Sequence, residues 1–185
     1  MKNILLLVTF LMLAFAPYAD IMALEPPTDT TEEGAGIYGG QNSSARKARK
    51  AEYEKHIDSI VSEANFRFIP SSFYMEPGGK REDIRDLSDE LSFNRDWVNI
   101  QLPYYEGSIP PYTLRKVNTT IPNTGNYDAV KNGEQWIVTM KARLFGSEDY
   151  TFTLDIDATT GNAELHMQSA FNNSVVYDGT VSSIH

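Results

Sequence analysis

Between Tyr127 and the end of the chain, apolar and polar residues alternate in five short stretches that are separated by turn residues. An alternation of period two puts every second side chain on the same face of a β-strand. Five consecutive strands of this kind predict an antiparallel meander with one apolar face. The residues predicted to face inward are Trp136, Val138, Met140, Ala142, Leu144, Phe152, Leu154, Ile156, Ala163, Leu165, Met167, Val175, Tyr177 and Val181.

Turn residues set the register that we expect between two of these strands. Asn132-Gly133 is a strong signal for a two-residue hairpin turn, because both residues tolerate positive φ. A turn centred on this pair would place Ala129 opposite Trp136. Because Trp136 begins the alternating apolar face of its strand, we expect its indole to be buried.

The middle of the chain predicts a second hairpin. Leu87 and Leu91 belong to one alternating stretch, and a short turn at Asn94-Arg95 leads into the next. This turn would place Leu87 opposite Leu102, with both side chains facing the core.

Before the strands, the sequence predicts one helix. Residues 44–65 contain strong helix formers and neither Gly nor Pro, and the pair Ser43-Ser44 can cap the helix start. Apolar residues recur at spacings of three and four, which places them on one stripe of the helix. These residues are Tyr53, Ile57, Ile60, Val61 and Ala64.

The apolar face of the meander must be covered by another layer, and the earlier hairpin and the helix are available to cover it. We therefore predict a mainly β fold, an antiparallel sandwich or incomplete barrel of about eight or nine strands with one N-terminal helix. This single β-rich domain would span residues 45–185. Residues 24–44 are rich in Pro, Gly, Thr, Ser and Glu and are predicted to be a flexible acidic linker.

The first 23 residues have the pattern of a secretory signal peptide. Lys2 is followed by an apolar run that ends at Pro17, which is too short to anchor the chain in a membrane. Small residues suited to cleavage stand at Ala19 and Ala23. We expect a periplasmic or secreted protein without a membrane anchor after cleavage, and not a lipoprotein, because the chain has no cysteine to acylate.

Charge and cysteine content narrow the classes of function. The chain has 16 Lys and Arg, 25 Asp and Glu and a net charge of -9. Nucleic-acid binding requires clustered cations, so we expect no nucleic-acid partner. The absence of cysteine excludes disulfides, thiolate metal sites and a cysteine nucleophile.

Three segments resemble a known family when they are taken in order. They are the helix and F-x-F strand of residues 45–70, the segment "DWVNIQLPYYEG" and the C-terminal stretch from Gly161 to Ile184. Together they are similar to the exported domain-of-unknown-function family 4251 of Bacteroidetes, from which this chain departs by Glu106 before Gly107 and by the missing lipobox cysteine. The resemblance implies an extracytoplasmic β-rich domain, and it implies no activity, cofactor or catalytic residue.

Metal-binding patterns are weak in this sequence. His56, His166 and His185 do not have the spacing of zinc ligands, so we predict no metal site there and no cofactor. Asp155 and Asp157 lie on a strand that we expect to place them opposite His166 and Glu164. A solvated polar face is the preferred interpretation, and a bound cation that relieves repulsion between Asp157 and Glu164 is the alternative.

Acid–base catalysis would need paired carboxylates in a cleft. The candidates are the acidic residues between the middle strands, which are Asp83, Asp86, Asp89 and Glu90. A charged edge strand or turn is the usual explanation for such residues, and nothing places them in a cleft, so we assign no catalytic residue. A small carboxylate-dependent periplasmic hydrolase, using this cluster or Asp155 and Asp157, is kept as an alternative.

The stretch "LPYYEGSIPPYTL", residues 102–114, offers a candidate binding surface. Pro103 removes a backbone donor, so we expect sheet pairing to stop there and a stiff loop to follow. Tyrosine provides apolar area and a hydroxyl at low ordering cost. The candidate binding residues are Tyr104, Tyr105 and Tyr112, and the alternative is that some of these rings fold back to plug an open barrel end.

These observations favour a non-enzymatic module of the cell envelope that binds an unknown ligand or protein. The hydrolase is one alternative, and a structural subunit of an envelope complex is the other.

Overall fold

The computed structural model describes residues 39–107, 109–123, 125, 127–144, 148–170 and 173–184. Ten strands form one antiparallel sheet that is not closed, and a single helix precedes it, which confirms the predicted fold class. The elements are α1 (Gly39–Ser62), β1 (Phe66–Glu76), β2 (Glu82–Asp83), β3 (Glu90–Asn94), β4 (Trp97–Glu106), β5 (Thr113–Pro122), β6 (Tyr127–Asn132), β7 (Gln135–Leu144), β8 (Glu148–Asp157), β9 (Asn162–Ser169) and β10 (Ser174–Ser183).

The sheet has the strand order β5-β4-β3-β1-β10-β9-β8-β7-β6. The last five strands form the predicted meander, and the pairing of β1 with β10 joins this meander to the β3–β5 half. The structure has ten strands where the sequence predicts about eight or nine, and the short β2 is the additional one. Its two residues pair with β1 near Phe73, whereas β3 pairs with β1 only from Phe66 to Phe68.

The apolar faces of the two halves pack against each other in one core. Phe66 stacks on Phe93 with ring centroids 4.8 Å apart, and Phe93 meets the edge of Tyr127 from β6 at 5.4 Å. Every inward residue that the alternation predicts in the meander is buried except Trp136, which is partly buried. The largest fully buried side chains include Tyr150, Tyr177, Phe66, Phe68, Phe93 and Phe152.

The C-terminal half of α1 belongs to this core. All five residues of the predicted apolar stripe are buried. The Tyr53 ring fills the space beside Gly161, where an added Cβ would collide with the phenol oxygen. The Tyr127 hydroxyl donates a hydrogen bond to the Val61 carbonyl at 2.6 Å. The helix is thus bound to the β6 side of the sheet by packing and by a buried polar contact.

Asp58 makes a second polar connection between α1 and the sheet. Its Oδ1 accepts a 2.8 Å hydrogen bond from Trp136 Nε1, and its Oδ2 pairs with Lys131 Nζ at 2.7 Å. The indole therefore keeps one edge at the helix surface, which is why Trp136 is less buried than its place in the alternation predicts. The helix begins at Gly39, before the predicted Ser43-Ser44 cap and inside the predicted linker.

The predicted register of the β6–β7 hairpin is wrong by two residues. Asn132 lies opposite Gln135, so Ala129 lies opposite Val138 and not opposite Trp136. The central turn residues are Gly133 and Glu134, and only Gly133 has positive φ, at 64°. A turn with glycine at its first central position needs no asparagine beside it. A shift of two residues keeps each side chain on its predicted face.

The β3–β4 hairpin shows the same kind of shift. Asn94 pairs with Trp97, which moves the turn to Arg95 and Asp96. Because β3 begins only at Glu90, Leu87 precedes the strand and is 97% exposed. The predicted inward pairing of Leu87 with Leu102 is therefore wrong.

Within the described part of the chain, no helix is both long and apolar enough to span a membrane.

Candidate functional site

The sequence predicts that sheet pairing stops at Pro103, but the pairing continues beyond this residue. β4 continues to Glu106 and pairs with β5 over its whole length, with Pro103 opposite Lys116. On its other side β4 loses its partner, because the pairing with β3 ends at Gln101. The Pro103 carbonyl accepts a 2.6 Å hydrogen bond from the hydroxyl of Tyr177. Proline is tolerated here because the strand needs no amide donor on that side.

This longer strand decides where two of the three candidate tyrosines lie. Tyr104 is 5% exposed and belongs to the core. Tyr105 packs against Phe73 with centroids 5.7 Å apart, and its hydroxyl donates to Glu82 Oε1 at 2.7 Å. Both rings therefore pack onto the protein.

Tyr112 precedes β5 and lies at the surface end of the β4–β5 connection, partly buried against Gly107. Two strongly exposed aliphatic side chains are close to it in the chain, Ile109 at 75% and Leu114 at 52% exposure. The structure thus brings an aromatic and two aliphatic side chains to the end of one hairpin.

Leu87 joins this group through the contacts of its neighbours. Lys116 Nζ pairs with Asp86 Oδ2 at 3.0 Å and contacts Ser88 Oγ at 3.3 Å, so the turn that carries Leu87 lies beside β5. Lys116 is two residues from Leu114 and therefore on the same strand face. Because the Leu87 turn lies beside β5, we group Leu87 with Ile109, Tyr112 and Leu114 and call these four residues the apolar tip.

A network of charges holds the Leu87 turn against β5. Lys116 also pairs with Asp89, which is 6% exposed. The hydrogen bond to Asp89 raises the pKa of Lys116 although partial burial opposes this effect. Hydrogen bonds from the Ser88 amide, from Lys116 and from the Ser88 hydroxyl lower the pKa of Asp86 to about 2. The turn is therefore fixed by ionised groups at neutral pH.

The β4–β5 end of the apolar tip is held by two more contacts. Asn173 Nδ2 donates to the Gly107 carbonyl at 2.6 Å, which ties the residue before β10 to the end of β4. Arg115 Nε donates to Glu106 Oε2 at 3.0 Å across the two strands. These contacts hold the end of β4 and the start of β5 next to the tip.

The pKa values of three tyrosines predict how the stability of the protein responds to alkaline pH. Burial, and then the hydrogen bond to Glu82, raises the pKa of Tyr105 to about 12. Burial raises the pKa of Tyr127 and of Tyr177 as well. The folded protein favours the neutral phenols, so this stability is fully present below pH of about 10 and is lost as pH rises toward the folded pKa values.

We expect tyrosinate absorbance to rise in two steps in a pH titration that circular dichroism follows in parallel. The less buried tyrosines should ionise first with the sheet intact, and Tyr127 and Tyr177, whose pKa burial raises, should ionise only as the sheet signal disappears. Tyr177→Phe should reduce the second step. Ionisation of all tyrosines in one step with an intact sheet would contradict the burial described above.

The acidic side chains of Asp86, Asp89 and Glu90 pair with other side chains of the fold. Asp86 and Asp89 share Lys116, and Glu90 accepts from Ser92 at 3.1 Å and faces Arg67 at 3.8 Å. A general acid needs a raised pKa, whereas Asp86 has a lowered one. These contacts favour a folding role for Asp86, Asp89 and Glu90 over acid–base chemistry, and Asp83 lies exposed on β2 opposite Ser72.

Four carboxylates line a shallow groove of about 570 Å³ across strands β8 to β10. They are Asp155, Asp157, Glu164 and Asp178. Glu164 contacts His166 Nε2 at 2.8 Å, and Asp178 Oδ2 pairs with Arg81 at 2.9 Å. The predicted pairing across β8 and β9 is wrong by two residues, since Asp155 lies opposite Glu164 and His166 opposite Thr153.

Asp157 holds the turn that follows β8. Burial favours a higher pKa for this carboxyl, but hydrogen bonds from Thr159 and Thr160 outweigh burial and hold its pKa below the usual value. The Thr159 amide and hydroxyl both lie 2.8 Å from its Oδ1. Asp157 Oδ1 is therefore used inside the turn, although the residue also lines the groove.

No group of three or more His, Asp or Glu side chains among the described residues is arranged to hold a metal ion. His56 lies on α1 and His166 on β9, and His185 lies outside the described residues.

Comparison with known proteins identifies the family. The chain matches the family model of a domain of unknown function (DUF4251) over residues 48–181. A crystal structure of a DUF4251 family protein from Bacteroides eggerthii DSM 20697 has a similar fold, with a TM-score of 0.56 and 12% identity over 74% of this chain and 91% of that one. No curated protein matches the sequence. The chain therefore belongs to the DUF4251 family of domains of unknown function.

Proposed function

We propose that this protein is an exported, non-enzymatic binding module of the cell envelope that contacts a partner protein through the apolar tip. The observation that carries the proposal is the gathering of exposed aliphatic side chains. Six large hydrophobic side chains in the described residues are strongly exposed, and three of them, Leu87, Ile109 and Leu114, belong to the tip. Clustered exposed apolar side chains mark interaction sites more often than scattered ones do.

The construction of the tip supports binding. Aliphatic side chains on a mobile loop would lose conformational freedom when a partner binds, whereas a fixed backbone reduces this loss. Lys116 and its two aspartates hold the turn that carries Leu87, and Asn173 holds the end of β4 at Gly107. Tyr112 adds an aromatic ring, a residue type that is enriched at the centres of protein interfaces.

The two remaining candidate tyrosines take a supporting role in this proposal. Tyr104 and Tyr105 anchor the end of β4 beneath the tip, where Tyr105 joins β4 to β1 and β2 through Phe73 and Glu82. Their substitution should disturb binding only through stability, whereas substitution of Tyr112 should weaken binding directly.

Export is supported by the signal-peptide pattern of residues 1–23, which lie outside the described residues. Mass spectrometry of the protein from its native host should find a mature N-terminus after Ala19 or Ala23, in the periplasm or the medium. An uncleaved chain in the cytoplasm would refute the export part of the proposal.

Capture from an envelope extract tests the tip. Leu87→Ser with Leu114→Ser removes two exposed side chains, so stability should fall by no more than about 1 kcal/mol. Retention of the partner that the wild type captures should fall about tenfold, which corresponds to a loss of about 1.4 kcal/mol over the two contacts together.

The matched control is Trp97→Ser, which removes an exposed apolar side chain at the opposite end of β4. This variant should capture the same partner as the wild type. Equal capture by the tip variant and the wild type, with both proteins folded, would refute binding at the tip.

A further inference from the structure

The sheet has two open edges, and they differ in character. β5 and β6 end the strand order, and each pairs with one neighbour only among the described strands. β5 ends in Pro122 and carries two adjacent cations, Arg115 and Lys116. Prolines and cations are the features by which natural sheets prevent edge-to-edge association.

β6 lacks this protection. It has no proline, and Lys131 is its one cation. The Lys131 ammonium is drawn to α1, where it pairs with Asp58 at 2.7 Å and Glu54 at 3.2 Å. It is therefore held on the helix side and does not shield the outer face of the edge.

The outer face of β6 exposes an apolar pair. Val130 is 54% exposed and lies opposite Ile137 of β7, which is 39% exposed. Both point away from the core, because the inward positions of β7 are the even-numbered residues such as Val138. A strand added beside β6 would cover Val130 and extend the sheet.

We propose that β6 pairs with β6 of a second copy of this chain across a two-fold axis. Antiparallel pairing requires opposite residues to share a face, and this condition is met when Val130 lies opposite its own counterpart. Asp128 then lies opposite the partner copy's Asn132, so no like charges meet within the strand pair. Ile137 and Val130 of both copies form one continuous apolar row.

The absence of cysteine allows a direct test of this register. Directly opposite side chains have Cβ atoms about 4.5–5.5 Å apart, close enough for oxidation to join two cysteines after small backbone adjustments. Val130→Cys should therefore form a disulfide-linked dimer under mild oxidation. Leu114→Cys, with nearly the same exposure on the other edge strand, should form little disulfide-linked product under the same conditions.

Sedimentation of the cysteine-free wild type completes the test. The wild type should dimerise with rising concentration, and Val130→Lys or Ile137→Ser should shift it to monomer while Leu114→Lys does not. A wild type that stays monomeric at every concentration would overturn the proposal. So would a dimer that Val130→Cys fails to trap, or one that Leu114→Lys dissociates while Val130→Lys leaves it intact.

Discussion

Gly179→Ala is expected to destabilise the protein by about 3 kcal/mol or more, at the upper end of the range for overpacked sites. Gly179 lies on β10 opposite Pro70, where the β1 register shifts at a bulge. A Cβ at this position would lie 2.8 Å from Phe68 Cε2 and closer still to the Ile69 carbonyl oxygen. Because the nearest atom belongs to the backbone, no side-chain rotation can relieve the clash.

A second glycine separates this steric effect from backbone strain. Gly133 has a positive φ of 64°, but an added Cβ would meet no atom within 4 Å. Gly133→Ala should therefore cost about 1–2 kcal/mol from its left-handed conformation alone. Urea unfolding of both variants measures the difference, and equal losses would contradict the close approach of β1 to β10.

Ile57→Ala is expected to reduce the free energy of unfolding by about 2–5 kcal/mol, the usual range for a fully buried aliphatic residue. Ile57 is 0% exposed at the centre of the α1 stripe. The loss should appear in the cooperative unfolding of the whole domain, because the stripe shares one core with the sheet.

Lys55→Ala is the matched control, since Lys55 lies two residues away on the exposed face of α1. Its effect should stay within about 0.5 kcal/mol. If Ile57→Ala melted the helix while the sheet unfolded at the wild-type urea concentration, α1 would be an appendage and not part of the core.

The sequence predicts the helix stripe and the meander because both depend on local periodicity. Spacings of three and four brought Tyr53, Ile57 and Val61 to the buried side of α1. Alternation likewise assigned the inward face of β7 to β10. Trp136 departs from the pattern because Asp58, distant in the chain, accepts its indole N–H at the helix surface.

Register was harder to predict because it depends on which turn residue takes positive φ. Asn132-Gly133 and Gly133-Glu134 are both reasonable turn centres, and the choice moves every partner by two residues. The side-chain faces survive such a shift, so the inward face of the meander was predicted correctly apart from Trp136, while the cross-strand pairs were not. The separate turn after β8 produces the same two-residue error, so the predicted pairing of Asp155 with His166 is wrong as well.

The apolar tip could not be predicted, because it is assembled by non-local contacts. The sequence pattern places Leu87 on the inward face of a strand. Lys116, from another strand, instead holds the turn of Leu87 beside β5. The sequence predicts that β4 ends at Pro103, because proline lacks a backbone donor. It does not show that the pairing of β3 with β4 has already ended at Gln101, so that no donor is needed on that side. Of the three candidate tyrosines, only Tyr112 lies at the tip in the structure.

Site-specific photo-crosslinking in the intact native host tests the central claim, that the tip contacts a partner protein. A photoreactive residue at Leu114 should give one dominant crosslinked partner, and the yield should fall when Leu87→Ser is added. The same group at Thr120, exposed on the same face of β5, should give little product. Equal crosslinking from both positions, or none from Leu114 in a folded protein, would contradict the proposal.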